Sequence, residues 1–299
     1  MTCADCSNNA QGDLLLAING ADERLQLALG LADVGGVGEG GVSLLASQEW
    51  TVPGQAVRFL VPGVLALLNG VGRSPADVRR IACVTGPGSF TGLRMSLAAA
   101  QGMAAGSGAL LAGINHLELL AHDAATLPAP TAEEQAAVLA LAWSRRAQVY
   151  AQAFRAKGDS EAGSKTGDKA DNQMDTTLAL CPPLALRLEE VPELVATLRQ
   201  RQTRPLSLLG GGLRRNLPFF EALAATTPAL HLLPRRWDAP KPETLLLLAA
   251  RAQYLPAAEI KPVYLRASDA EDNLAAIAAG RGLSAEEAQA ILDRGSRTL

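Results

Sequence analysis

Positive charge is what this chain most conspicuously lacks for its length. Its 299 residues carry 27 lysines and arginines against 30 aspartates and glutamates, a formal charge of −3. That balance gives no basic footprint for gripping a nucleic acid unaided. Long apolar runs are also missing, and the N-terminus has no basic stretch followed by an apolar one, so neither a membrane span nor export is indicated and a cytoplasmic chain is expected. There are four cysteines, Cys3, Cys6, Cys83 and Cys181. One Cys-x-x-Cys in a polar tail, without a second pair or a nearby histidine, is a weak metal or redox signal, and reduced thiols in a disordered tail over 1–12 are the simpler reading. Histidine is represented by His116, His122 and His231 alone. The first two are six apart, which on a helix puts them on different faces, so no metal pair is expected.

The chain does have apolar content, 48% of its residues, enough for one large core or two modest ones. The element order reads twice. Strands at Leu14–Ile18, Leu25–Leu31 and Val42–Ser47 precede a helix at Ala56–Leu68, a strand at Ile81–Thr85 and a helix from about Gly92 to Ala105. Ser74–Asp77 has the serine-then-proline pattern of a short helix start. The second copy runs through Val138–Trp143, Ala147–Phe154, a strand near Leu178–Cys181, a helix at Leu188–Gln200, a strand at Leu206–Leu209 and a helix at Leu217–Ala225. Two copies of strand-strand-strand-helix-strand-helix predict an α/β fold of the duplicated ribonuclease-H-like, actin-like kind. The expected divisions are a first domain over 13–115 and a second over 116–267. The second includes a polar insertion at 157–177, too poor in apolar residues to offset the entropy of ordering, and a closing helix at 243–254. A C-terminal extension follows at 268–299, where Ser284–Glu287 fits a capping box.

The most informative stretch is Val84–Thr85–Gly86–Pro87–Gly88–Ser89–Phe90–Thr91–Gly92–Leu93–Arg94. A strand runs into a glycine-rich turn and then a helix, whose free N–H groups and dipole suit an anion. No lysine follows Gly92 and the glycine spacing fits neither a Walker loop nor the dinucleotide fingerprint. Ser89 or Thr91 can cap the helix. The bland alternative is a tight turn with no ligand.

This loop resembles the signature of the bacterial TsaB (YeaZ) family. Leu14–Ile18, Gln148–Val149–Tyr150 and Lys261–Pro262–Val263–Tyr264–Leu265–Arg266 agree in order, so the resemblance spans about 13–266. It implies a non-catalytic relative of TsaD that pairs with TsaD, helps recruit the TsaE ATPase, and serves the synthesis of threonylcarbamoyl-adenosine beside the anticodon of tRNA. Pairing is implied through the two first-domain helices, with a homodimer on the same surface when TsaD is absent, and tRNA is met only indirectly.

Actin-like ATPases place a carboxylate at the end of the first strand of each half to hold magnesium against the phosphates. Here those places read Asn19 and Ser144, and neither supplies charge. TsaB relatives usually keep an aspartate-threonine pair where this chain has Asn19–Gly20, so it departs from the family there. Gly86, Gly88, Ser89 and Thr91, with the turn Gly210–Gly211–Gly212, therefore stand as candidates for weak ATP or ADP binding at most, with no cofactor required and no catalytic residue assigned. Arg145 and Arg146 could bind an anion, but a solvated turn is the simpler reading. For the partner interface the sequence offers Phe59, Leu60, Val64 and Leu67 on the first helix and Leu93, Leu97, Ala100 and Met103 on the second, amid small residues that let another helix approach. A charge at Leu97 or Met103 is accordingly expected to weaken pairing. The alternatives are an actin-fold ATPase or small-molecule kinase acting alone, which needs the missing carboxylates, and a homodimeric protease-like or resuscitation factor, for which no nucleophile–base pair is visible.

Overall fold

In the computed structural model, the described residues are 12–33, 41–125, 136–156, 177–201 and 205–265, with Ala278 and Ser284. The expectations for the 1–12 tail, the 157–177 insertion and the 268–299 extension fall almost wholly outside them. The first half runs β1 (Gly12–Asn19), β2 (Arg24–Asp33), β3 (Val42–Thr51), α1 (Ala56–Gly70), β4 (Val78–Gly86), α2 (Phe90–Ser107) and β5 (Leu110–Asn115), and α3 (His116–Ala125) leads to the second. There β6 (Ala137–Arg145), β7 (Gln148–Ala156), β8 (Thr177–Ala179) and β9 (Leu184–Arg187) are followed by α4 (Val191–Arg201), β10 (Leu206–Leu209), α5 (Gly211–Arg215), α6 (Leu217–Thr226) and β11 (Leu230–Leu232). The chain then adds α7 (Pro242–Arg251) and β12 (Tyr254–Leu255).

Two mixed sheets result, ordered β12-β5-β4-β1-β2-β3 and β11-β10-β6-β7-β8, with β9 also on β7. In each, an antiparallel meander continues into parallel strands reached through helices, and the duplicated actin-like fold expected from the sequence is what the topology displays. Both halves lie in one compact unit running to Val263; residues 264–299 form a second.

Strand alternation decides which helix goes where. Leu14, Leu16 and Ile18 of β1 point to the face that α1 and α2 cover with Leu60, Val64, Leu67, Leu97 and Ala100. Leu15 and Ala17 point to the other, where Leu119 of α3 and Leu245, Leu246 and Ala249 of α7 pack. A strand covered on both faces reads as a continuous apolar run, which is why Leu14–Ile18 is one. Each leucine so buried contributes about 2 kcal/mol. In the second half, Leu139, Leu141, Val149 and Ala151 pack with Val195, Leu198, Leu213 and Phe220.

The closing helix expected at 243–254 is real but shorter, and it covers the first sheet rather than the second half. Tyr254 and Leu255 leave it to pair with Ala112 and Leu111 of β5. The expected Leu188–Gln200 helix begins as a single 3-10 turn at Leu188–Glu190 before α4. The third strand of the second half is split around Pro182 and Pro183, which lack the N–H a ladder requires.

Candidate functional site

The parallel strands β1, β4, β6 and β10 bring four turns together where the two halves meet. At the end of β1, Asn19 is spent within the chain: its Nδ2 donates to Gln26 Oε1 at 2.8 Å, and its Oδ1 accepts the Ala21 N–H at 3.2 Å. Gln26 is held in turn, its Nε2 donating to Glu49 Oε2 at 2.7 Å and to the Pro240 carbonyl at 2.9 Å. Near the end of β6, the Ser144 hydroxyl is buried with no hydrogen-bond partner among the described residues.

The signature loop is packed against the turn after β1. Ser89 N–H donates to the Ala21 carbonyl at 2.7 Å. A β-carbon at Gly88 would overlap that same carbonyl oxygen, and one at Gly92 would overlap the Gly20 carbonyl oxygen. The two glycines are thus required by close approach to the chain's own backbone. Ser89 caps α2 by accepting the Gly92 N–H at 3.3 Å, while Thr91 is exposed in the first turn. On the other side, Val263 N–H donates to the Thr85 carbonyl at 2.8 Å, and a β-carbon at Gly86 would stand 2.7 Å from the Val263 carbonyl. The signature and Val263 of the Lys261–Arg266 motif therefore meet in space; Arg266 lies outside the described residues.

On the side of the second half, the turn Gly210–Gly212 receives the tip of the β1–β2 turn. The Asp22 carboxylate lies so close to Gly211 that a β-carbon there would overlap it. Its Oδ1 accepts the Glu23 N–H at 2.8 Å, and Glu23 is paired with Arg215. Arg215 also lies 4.3 Å over the Trp143 ring. Arg214 Nε is 2.6 Å from Asp238 Oδ2, and the same guanidinium donates to the Leu233 carbonyl. Each half's glycine-rich turn thus touches protein atoms.

Burial pushes the Asp22 carboxyl above its ordinary range, against the smaller lowering effects of the Glu23 N–H and Arg215. The native state then holds that proton more tightly than the unfolded chain. Its contribution to stability is present at acid pH and is lost as pH rises through the raised pKa. Asp22→Asn removes this dependence. The melting temperature of the variant relative to the parent should be higher at pH 8 than at pH 4, which thermal unfolding at the two pH values checks.

His116 and His122 are both buried on α3. Burial pushes His116 down to about 4, so it is neutral at physiological pH. Cys83 is buried in β4 and burial pushes its thiol up to about 12, which leaves it inert.

The partner-facing residues need correction. Leu60, Val64, Leu67, Leu93, Leu97 and Ala100 are all buried in the first half's core, and Phe59 and Met103 are half-buried against it. They fail as surface because α1 and α2 both lie on the sheet, and the sheet takes the larger side chains of each helix. The outward face of α1 is instead Val57, Val61 and Leu65, with 67%, 55% and 43% of their surface exposed. Their i, i+4, i+8 spacing is the signal that would have found them. The outward face of α2 carries Ala98, Gly102, Ala105 and Gly106, and β-carbons at the two glycines would meet nothing within 4 Å. An apolar ridge beside a strip of small residues is what close helix–helix packing uses.

Among known proteins, the family model described as "TsaD: tRNA N6-adenosine threonylcarbamoyltransferase" matches residues 55–273. A tRNA N6-adenosine threonylcarbamoyltransferase of Solidesulfovibrio magneticus is 42% identical over 86 residues, 29% of this chain and 22% of that protein. The tRNA threonylcarbamoyladenosine biosynthesis protein TsaB of Escherichia coli is 35% identical over 72 residues, 24% of this chain and 31% of its own. The matched stretches thus cover under a third of the length of these curated relatives. The crystal structure of YeaZ from Pseudomonas aeruginosa shares the fold, with a TM-score of 0.60 and 24% identity over 85% of this chain and 100% of that one. These findings agree with the TsaB resemblance read from the signature loop.

Proposed function

We propose that this chain, which belongs to the TsaD family of tRNA N6-adenosine threonylcarbamoyltransferases, acts within it as a non-catalytic partner of the TsaB kind. It pairs with TsaD through the outward faces of α1 and α2 and helps recruit TsaE. TsaD transfers the threonylcarbamoyl group from its adenylate to the tRNA adenine, and this chain stabilises the active arrangement. Without TsaD it pairs with a second copy of itself through the same faces. It works in the cytoplasm and meets tRNA through the complex; among the described residues no helix is long and apolar enough to cross a membrane.

One observation carries the non-catalytic reading: the groups that would handle magnesium and phosphate are engaged within the chain. Asn19 is tied to Gln26 and Ala21, Gly88 and Gly92 lie on the backbone of the β1–β2 turn, and Gly211 lies against Asp22. A nucleotide would have to displace these groups, so ATP or ADP binding is weak at most and no cofactor is needed. An actin-fold ATPase or kinase working alone would require a carboxylate where Asn19 or Ser144 stands.

The test is reconstitution. Phosphate release from ATP and threonylcarbamoylation of tRNA are measured for this chain alone, for TsaD with TsaE, and for all three. The chain alone should do neither, and its addition should raise the modification rate of the other two. Turnover by the chain alone would overturn the reading.

A further inference from the structure

The arginines of the second half are unevenly placed. Strands β6, β10 and β11 are parallel neighbours, so their C-terminal ends open on one edge of the sheet. The segments leaving those ends carry Arg145 and Arg146, then Arg214 and Arg215, then Arg235 and Arg236. Side chains join the three segments. Arg215 lies over Trp143, two residues before Arg145, and Arg214 holds Leu233 and Asp238, which bracket Arg235 and Arg236. Of the carboxylates beside these arginines among the described residues, Glu23 and Asp238 are taken by Arg215 and Arg214. Arg146, Arg235 and Arg236 are exposed, and among the described residues no carboxylate is paired with them. Arg146, Arg235 and Arg236 make a locally positive edge on a chain whose overall charge is −3.

Two tryptophans bear on the chemistry of what binds. Arg236 is 5.7 Å from the centre of the Trp237 ring, as Arg215 is 4.3 Å from that of Trp143. A guanidinium over an aromatic face gives up only a flat side; the N–H edge of Arg215 is spent on Glu23, while that of Arg236 is left in the forked geometry that suits a phosphate. From this arrangement we propose that the edge formed by Arg146, Arg235 and Arg236, with Arg236 backed by Trp237, is a site for the phosphate backbone of RNA, tRNA in the setting of the proposed function, on which this inference rests. It adds to binding within the complex and is too small, on an acidic chain, to hold tRNA firmly alone. The near-neutral whole concealed it, because net charge averages over both halves.

The test compares two double variants with the same change in net charge. Arg235→Glu/Arg236→Glu lies in the site; Arg73→Glu/Arg79→Glu reverses two exposed arginines before and within β4. Binding of fluorescent tRNA to the complex of this chain with TsaD is followed by anisotropy at several salt concentrations. The site variant should bind roughly tenfold or more weakly at about 0.1 M salt, and its slope of log affinity against log salt should fall by about two, one for each phosphate that is no longer neutralised. The control should keep the parent's slope. Equal weakening in both variants, or none in either, would overturn the proposal. So would failure of the site variant to pair with TsaD while its tRNA binding is unchanged, which would mark the edge as a seat for an acidic protein surface. Should the parent not pair with TsaD, the function reading itself fails, and the same titration on the chain alone at low salt judges the site: a weaker site variant supports it and an unchanged one overturns it. Arg235→Gln/Arg236→Gln repeats the measurement if charge reversal prevents folding.

Discussion

Gly92→Ala should cost this protein about 3 kcal/mol or more of stability and the proposed pairing with TsaD, although the substitution adds one methyl group at a helix position. The added carbon would overlap the Gly20 carbonyl oxygen, a backbone atom that cannot rotate away. Gly20 cannot retreat, because a β-carbon's worth of space beside it is already filled by the Ser96 hydroxyl. The start of α2 or the β1–β2 turn must therefore move, and overpacking of this kind costs a few kcal/mol. Gly102→Ala is the matched comparison: ten residues on in the same helix, with nothing within 4 Å of the new methyl. That change should stabilise by about 1 kcal/mol, the ordinary preference for alanine over glycine in a helix. Urea denaturation of the two variants, with calorimetric titration of TsaD into Gly92→Ala, would check both signs. A Gly92→Ala protein as stable as the parent would mean that the loop has a looser fit than its close approaches imply.

The signature loop is legible in the sequence as a place of close backbone approach, but not as to what approaches. Glycine-rich turns ahead of a helix suit an anion and suit another backbone equally well. The deciding atoms, the carbonyls of Gly20 and Ala21, lie some 70 residues away in the chain and reach the loop because β1 and β4 are parallel neighbours. Asn19 illustrates the same limit. Its chemistry excludes it as a magnesium ligand at once, while its bonds to Gln26 and Ala21 require the register of β1 on β2.

Elements with a full period are legible, and elements defined by their neighbours are not. Strands β1, β2, β4, β6 and β10 and helices α1, α2 and α6 declare themselves by apolar runs of the right length. The short strands β5, β9, β11 and β12 do not, since two to six residues of mixed character become strand only beside a ladder that accepts them. Chain order also misleads on α7, which follows the whole second half yet covers β1 and β2 with Leu245 and Leu246. Nothing local in Pro242–Arg251 says which sheet it will meet.

The proposed partner surface turns on the same difficulty, and correcting it yields the sharper experiment. Val61→Asp should leave the fold intact and weaken both self-association and TsaD binding by about a hundredfold, because Val61 lies in the middle of the outward ridge of α1 and an unpaired charge buried in an apolar helix interface costs several kcal/mol. Leu97→Asp, which the sequence offers for the same purpose, should instead unfold the first half: Leu97 is 6% exposed and packs in the core beneath α2. Circular dichroism separates the two variants before any binding is measured. Light scattering then reports self-association of Val61→Asp, and calorimetry its affinity for TsaD. Loss of both, with an unchanged melting curve, is the result expected if one face serves both partners. Failure to bind TsaD while self-association persists would separate the two surfaces, and the persistence of both would remove α1 from the interface altogether.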